Sequence, residues 1–276
     1  MRIPVSIRTR DHATISQNIV VTMVRDVPGQ KKVGSGPGVA APGPLVLIAH
    51  GRPASADERL RMGQVKYPGN AVWLAQHGYV VAVPTRIGYG STGGPDLDYT
   101  GECNNKDYLS GLTGAAEQYR QVLRYLQHLP FVDTRHTAVI GESFGGLVAL
   151  ALSSDAAIQG VINFSGGDGG DYSHLDQPCA PERLQAAFAG LAHKNRVPTL
   201  WLYSLNDRFW GPAYPQHWFD AFVEAGGRAK FVQLPADKNN GHFIFNRNGL
   251  AWHASVEQFF SQIGIGASAK TDAASQ

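Results

Sequence analysis

Two hydrophobic patterns run along the chain. Residues 3–8 and 19–25 alternate apolar with polar positions, which predicts two strands with one buried face, joined as an antiparallel hairpin or meander. Further on the apolar residues come in short continuous runs at 45–49, 79–83, 137–140, 160–164, 199–203 and 230–234. Such runs predict strands covered on both faces. Between them the period lengthens to three and four, predicting helices over 70–77, 108–129, 146–152, 181–193, 216–225 and 250–263. The second is the clearest, with Leu109, Leu112, Ala116, Tyr119, Leu123 and Leu126 on one stripe and Pro130 as its stop. Residues 33–44 and 84–106 read as loops rich in turn formers. Buried strands alternating with helices predict an α/β fold, a mostly parallel central sheet with helices on both faces, in one domain over 1–266. The Ala/Ser/Thr-rich stretch 267–276 is expected to be a disordered tail.

Composition narrows the function classes. A net charge of +2, with Lys31-Lys32 the only adjacent lysines, offers no basic stripe for nucleic acid. No run approaches the roughly 20 apolar residues of a membrane span. The start, Met1 to Ile7, alternates rather than forming an apolar signal core, so the expectation is a cytoplasmic chain or one whose signal has been removed. The histidines are scattered and the two cysteines far apart, so no metal or cofactor is expected. Gly88-Tyr-Gly90-Ser-Thr-Gly93 matches a dinucleotide fingerprint, but Gly94-Pro95 follows where a helix would be needed.

The chemistry concentrates at Gly141-Glu142-Ser143-Phe144-Gly145, between an apolar run and a helix-forming run. A serine on a sharp strand-to-helix turn is driven outward above the sheet, and the flanking glycines are needed because side chains there would collide with strand and helix. Ligands bind beyond the carboxyl ends of such strands. Asp207 follows the run 199–203 and His242 follows the run 230–234, giving the chain order Ser143, Asp207, His242. His242 would take the serine proton, and Asp207 would orient the imidazole. Asp168, after the run 160–164, is the rival acid, and Asp237 a further one. Oxyanion donors are expected at the N–H of Phe144 and, after the run 45–49 in His50-Gly51-Arg52-Pro53, at the N–H of Arg52.

With these motifs, and Arg86-Ile-Gly-Tyr-Gly90-Ser91 beside them, the chain resembles the α/β-hydrolase superfamily, in its dienelactone-hydrolase-like and prolyl-oligopeptidase-like branch, from about residue 45 to 263. Dienelactone hydrolases carry a cysteine nucleophile where Ser143 stands here, and prolyl-oligopeptidase-type enzymes carry a large extra domain that is not expected here. The expectation is therefore a serine hydrolase of small or medium carboxylic esters. A peptidase acting on short peptides, and a non-catalytic binding protein on the same fold, are the alternatives. There is no helical lid insertion, and the rim is expected from residues 166–181 and 84–106 alone. Tyr89, Trp210 and Phe243 are candidate pocket residues. Cys103 and Cys179 lie in loops after strands, so both are expected at that rim, where a disulfide would fit a periplasmic or extracellular setting and free thiols a cytoplasmic one. The oligomeric state is open.

Overall fold

Eight strands form one sheet in the order β1-β2-β4-β3-β5-β6-β7-β8 in the computed structural model, which describes residues 1–9, 11–25 and 41–265. β1 (Arg2–Arg8) and β2 (Thr14–Val24) make the antiparallel hairpin that their alternation predicts, burying Ile3, Val5 and Ile7. β2 runs antiparallel to β4 (Val80–Thr85), the only other antiparallel pair of the sheet among the described residues. From β4 through β3 (Gly43–Ala49), β5 (Val132–Glu142), β6 (Gly160–Phe164), β7 (Thr199–Ser204) and β8 (Ala229–Leu234) all neighbours are parallel. All carboxyl ends of these six strands thus point one way.

The continuous apolar runs are explained by two cores. Leu45, Leu47 and Ala49 of β3 face one layer, Val46 and Ile48 the other, since successive side chains alternate across a strand. The first layer holds α3 (Tyr108–Leu126), α4 (Phe144–Leu152), α5 (Pro181–Ala192) and α6 (Tyr214–Glu224). The second holds α2 (Pro68–Gln76), α7 (Ile244–Arg247) and α8 (His253–Gln262).

Three expectations are corrected. The second helix stops at Leu126, not Leu129, because the chain tightens there into i→i−3 bonds, His128 N–H to Tyr125 O and Leu129 N–H to Leu126 O, before Pro130. The last helix begins at His253 after a separate short turn. A helix not foreseen, α1 (Ala56–Arg61), follows β3; its Ser55 side chain accepts from Glu58 N–H while Glu58 reaches back to the Ser55 N–H. The spacing Ser55-x-x-Glu58 was the available signal for that capping box. The loop expected over 33–44 lies outside the described residues up to 40, and its end opens β3. The tail 267–276 also lies outside the described residues.

Candidate active site

Ser143 sits between the end of β5 and the first turn of α4 with φ 57° and ψ −126°, a backbone conformation that L-residues rarely adopt. Two contacts impose it. A Cβ on Gly141 would lie 1.9 Å from the carbonyl oxygen of Gly145, and one on Gly145 would lie 2.0 Å from that of Ala49. Glycine at both positions lets strand, turn and helix close on one another. The turn is held by Ser143 N–H donating to Phe164 O at 2.9 Å and by Gly146 N–H donating to Ser143 O at 2.8 Å. The Ser143 hydroxyl makes no hydrogen bond among the described residues, and it opens onto a cavity of about 1370 Å³.

His242 lines the same cavity. It follows β8 in a short helical turn, whose Asn240 side chain accepts from the His242 N–H at 3.0 Å. Gly241 before it packs so closely on Ser204 that a Cβ would meet Oγ at 2.1 Å. The His242 Nδ1 lies 3.1 and 3.0 Å from the two carboxylate oxygens of Asp207. Both side chains are buried, at 2% and 0% exposure. The N–H groups of Phe209 and Trp210 donate to Asp207 Oδ1 at 3.0 and 3.3 Å, fixing the carboxylate at the end of β7. Phe209 and Trp210 also pack on the imidazole, with ring centroids 4.5 and 5.2 Å away. The rival carboxylates go elsewhere. Asp168 accepts from the Thr100 hydroxyl at 2.7 Å, and Asp237 from the Asn248 side chain at 3.3 Å.

The loop after β3 touches the nucleophile: a Cβ on Gly51 would lie 3.2 Å from Ser143 Cβ. Behind it Arg86 is fully buried, paired with Asp98 at 2.7 Å, and its guanidinium donates to the carbonyls of His50 (2.6 Å) and Gly51 (3.3 Å). In a trans peptide the C=O and the next N–H point oppositely. With the Gly51 carbonyl turned to Arg86, the Arg52 N–H therefore faces away from it. Neither Arg52 N–H nor Phe144 N–H has a protein acceptor among the described residues. His50 is neutral: burial and the Arg86 guanidinium hold it well below the usual imidazole range. Its Nε2 accepts from the Arg86 N–H at 3.1 Å, leaving the proton on Nδ1 toward Gly51 O at 2.8 Å. None of this network was read from the sequence, because its partners are 36 and 12 residues apart along the chain.

Of the pocket candidates, Trp210 and Phe243 line the cavity. Tyr89 does not: it is fully buried and donates to Asp98 at 2.6 Å, behind Arg52. Its glycine-rich turn closes on itself, with Gly88 N–H on Gly93 O at 2.6 Å. The rim is also wider than expected, since α1 and residues 52–55 contribute to it beside the loops around Cys103 and Cys179. Those cysteines form a disulfide with their Cα atoms 5.4 Å apart. The Arg52 side chain is held by Asp96 through two hydrogen bonds of 2.8 and 2.7 Å. Glu142 was missed as a site residue. It is buried at the cavity wall beside Ser143, with Oε2 accepting from the Tyr67 hydroxyl at 2.8 Å and Oε1 without a partner. Burial pushes its carboxyl above the usual glutamate range, against the opposing effect of the Tyr67 hydrogen bond. Among the described residues no cluster of His, Cys, Asp or Glu could hold a metal ion, and no helix is long and apolar enough to cross a membrane.

A mostly parallel sheet with a serine on a strained turn at its carboxyl edge defines a hydrolase architecture. The chain belongs to the alpha/beta hydrolase family, whose model matches residues 45–260. Among curated proteins none matches it in sequence. Among solved structures, it is similar to an acylaminoacyl peptidase of Pyrococcus horikoshii, at 14% identity and TM-score 0.59, covering 98% of this chain and 42% of that one. It thus spans less than half of that relative. It is also similar to Est1E of Butyrivibrio proteoclasticus, solved with bound ferulic acid, at 15% identity and TM-score 0.58, covering 94% of this chain and 98% of that one. The esterase Pf2001 of Pyrococcus furiosus matches at 15% identity and TM-score 0.54, covering 95% and 90%. At these identities the likeness is one of fold.

Proposed function

We propose that this hydrolase cleaves carboxylic esters of small or medium size through Ser143 as nucleophile, His242 as general base and acid, and Asp207 as the group that orients His242. The observation that carries the reading is the buried Asp207–His242 pair at 3.0 Å, whose His242 lines the same cavity as the strained Ser143. With Asp207 holding the Nδ1 proton, Nε2 is the free base. Substrate draws Ser143 and His242 into hydrogen-bond contact, as catalytic contacts that are loose in the free enzyme tighten in the Michaelis complex. The Ser143 proton then passes to Nε2 as Oγ attacks the carbonyl carbon. The oxyanion is received by the N–H groups of Phe144 and Arg52, both without protein acceptors. Collapse releases the alcohol, protonated by His242, and water then hydrolyses the acyl-enzyme by the same steps in reverse roles.

Nitrophenyl esters test this. Ser143→Ala or His242→Ala is expected to lower kcat by several orders of magnitude, and Asp207→Asn by roughly 10⁴-fold through the wrong tautomer. A serine-directed phosphonate should label wild type and not Ser143→Ala. Full turnover or labelling of that variant would refute the assignment, and a preference for aminoacyl nitroanilides over esters would favour peptide cleavage instead.

A further inference from the structure

The wall of the cavity facing the disulfide carries a second piece of chemistry. Asp168 follows β6 in Ser165-Gly-Gly-Asp168 and is 9% exposed. Its Oδ2 is taken by the Thr100 hydroxyl at 2.7 Å, while its Oδ1 has no partner among the described residues. Lys106 Nζ donates to the same Thr100 hydroxyl at 3.1 Å, which leaves the hydroxyl's only proton for Asp168. The residue is held firmly. Gly167 N–H donates to Ser143 O at 3.2 Å and Cys179 N–H to Gly169 O at 2.9 Å, so Asp168 hangs between the nucleophile turn and the disulfide. A Cβ on Gly169 would lie 2.8 Å from Cys179 Cβ, which shows how closely that strap is packed.

The surrounding charge points the same way. Glu58, Glu102, Glu142, Asp168 and Asp171 line the cavity, against two strong cations: Arg52, engaged with Asp96, and Lys106, which among the described residues makes no direct ion pair and reaches Asp168 only through the Thr100 hydroxyl. A carboxylate whose side chain is largely buried but whose second oxygen opens onto a predominantly acidic cavity is matched by a donor that is also positive. We propose that Asp168 is a substrate-binding residue that anchors an ammonium group, and that the preferred esters carry a primary amine. This rests on the serine-ester reading, and it adds a substrate class to it. Tyr99 and Tyr172, exposed at the cavity wall, offer ring faces that a cation passing inward can use.

Nitrophenyl ω-aminohexanoate and ω-aminooctanoate, compared with the isosteric heptanoate and nonanoate, read the charge alone. In wild type the amino esters should show about tenfold higher kcat/KM, mainly through KM. Asp168→Asn should bring the ratio near one, and Asp168→Glu should restore part of it. Should Asp168→Asn fail to fold, Thr100→Val, which frees the carboxylate from its tether, should reduce the ratio. A wild-type ratio near one, an equal gain for the neutral acetamido ester, or a ratio unchanged in these variants would overturn the proposal. Failure of the serine reading looks different: the esters would survive Ser143→Ala, or none would be turned over. In that case calorimetric titration with hexylamine against hexanol still decides, since amine binding lost in Asp168→Asn supports the anchor and its absence in wild type refutes it.

Discussion

Glu142 is the residue whose surroundings least suit its charge. Its carboxyl is buried between Tyr67 and the cavity wall with one oxygen unpartnered, and burial raises its titration above that of the unfolded chain. A raised carboxyl favours folding fully below its unfolded titration range, and that contribution is lost as pH rises through the folded one. Glu142→Gln removes the titration. The variant should melt with wild type near pH 4, and should melt a few degrees above it by about pH 8, where wild type buries a carboxylate. Thermal melts across that range check it, and a difference independent of pH would mean that Glu142 stays neutral or is reached by solvent. Sequence alone named this residue only as part of the serine motif. Its burial depends on Tyr67, 75 positions away along the chain.

At the scale of elements, the β5–α4 turn was legible because its constraint is local: Gly141 and Gly145 must be small where strand and helix meet. Gly145→Ala would drive a Cβ to 2.0 Å from Ala49 O and 2.7 Å from His50 O, both backbone atoms that cannot step aside. It should therefore destabilise by at least about 2 kcal/mol and reduce turnover further by displacing the Phe144 N–H. Gly69→Ala in α2, where no atom lies within 4 Å, should instead be neutral or stabilise by up to about 1 kcal/mol through helix propensity. Chemical denaturation of both variants checks the contrast, and equal effects would mean that the turn has slack. The strand runs and most helices were equally readable, since buried apolar runs and three-four spacing are properties of neighbouring residues. α1 went unread because it is six residues long and buries none of them, so hydrophobic period could not mark it.

Across the whole molecule, the disulfide joins the loop after β4 to the loop after β6 and closes a sequence separation of 76 residues. Such a closure is worth roughly 4 kcal/mol in the chain-entropy model. Reduction should lower Tm and weaken selection among substrates more than it slows the acyl transfer itself, because Tyr108, Gly169 and Cys179 brace the rim while β5, β7 and β8 carry Ser143, Asp207 and His242. Melts and esterase kinetics with and without reductant test this, and an unchanged Tm would show the bridge to be redundant. By itself the sequence determined the α/β architecture and the strand-to-helix turn that carries Ser143, because each is written in residues near one another in the chain. It left open which carboxylate meets His242. Asp168 and Asp207 both follow parallel strands, and only packing decided between them: the Phe209 and Trp210 N–H groups turn Asp207 to the imidazole, while Thr100, from another loop, holds Asp168 against the disulfide wall. Tyr89 was misread for the same reason, since the buried Arg86–Asp98 pair that draws it behind the site is assembled only when the loop after β4 folds back on the sheet edge.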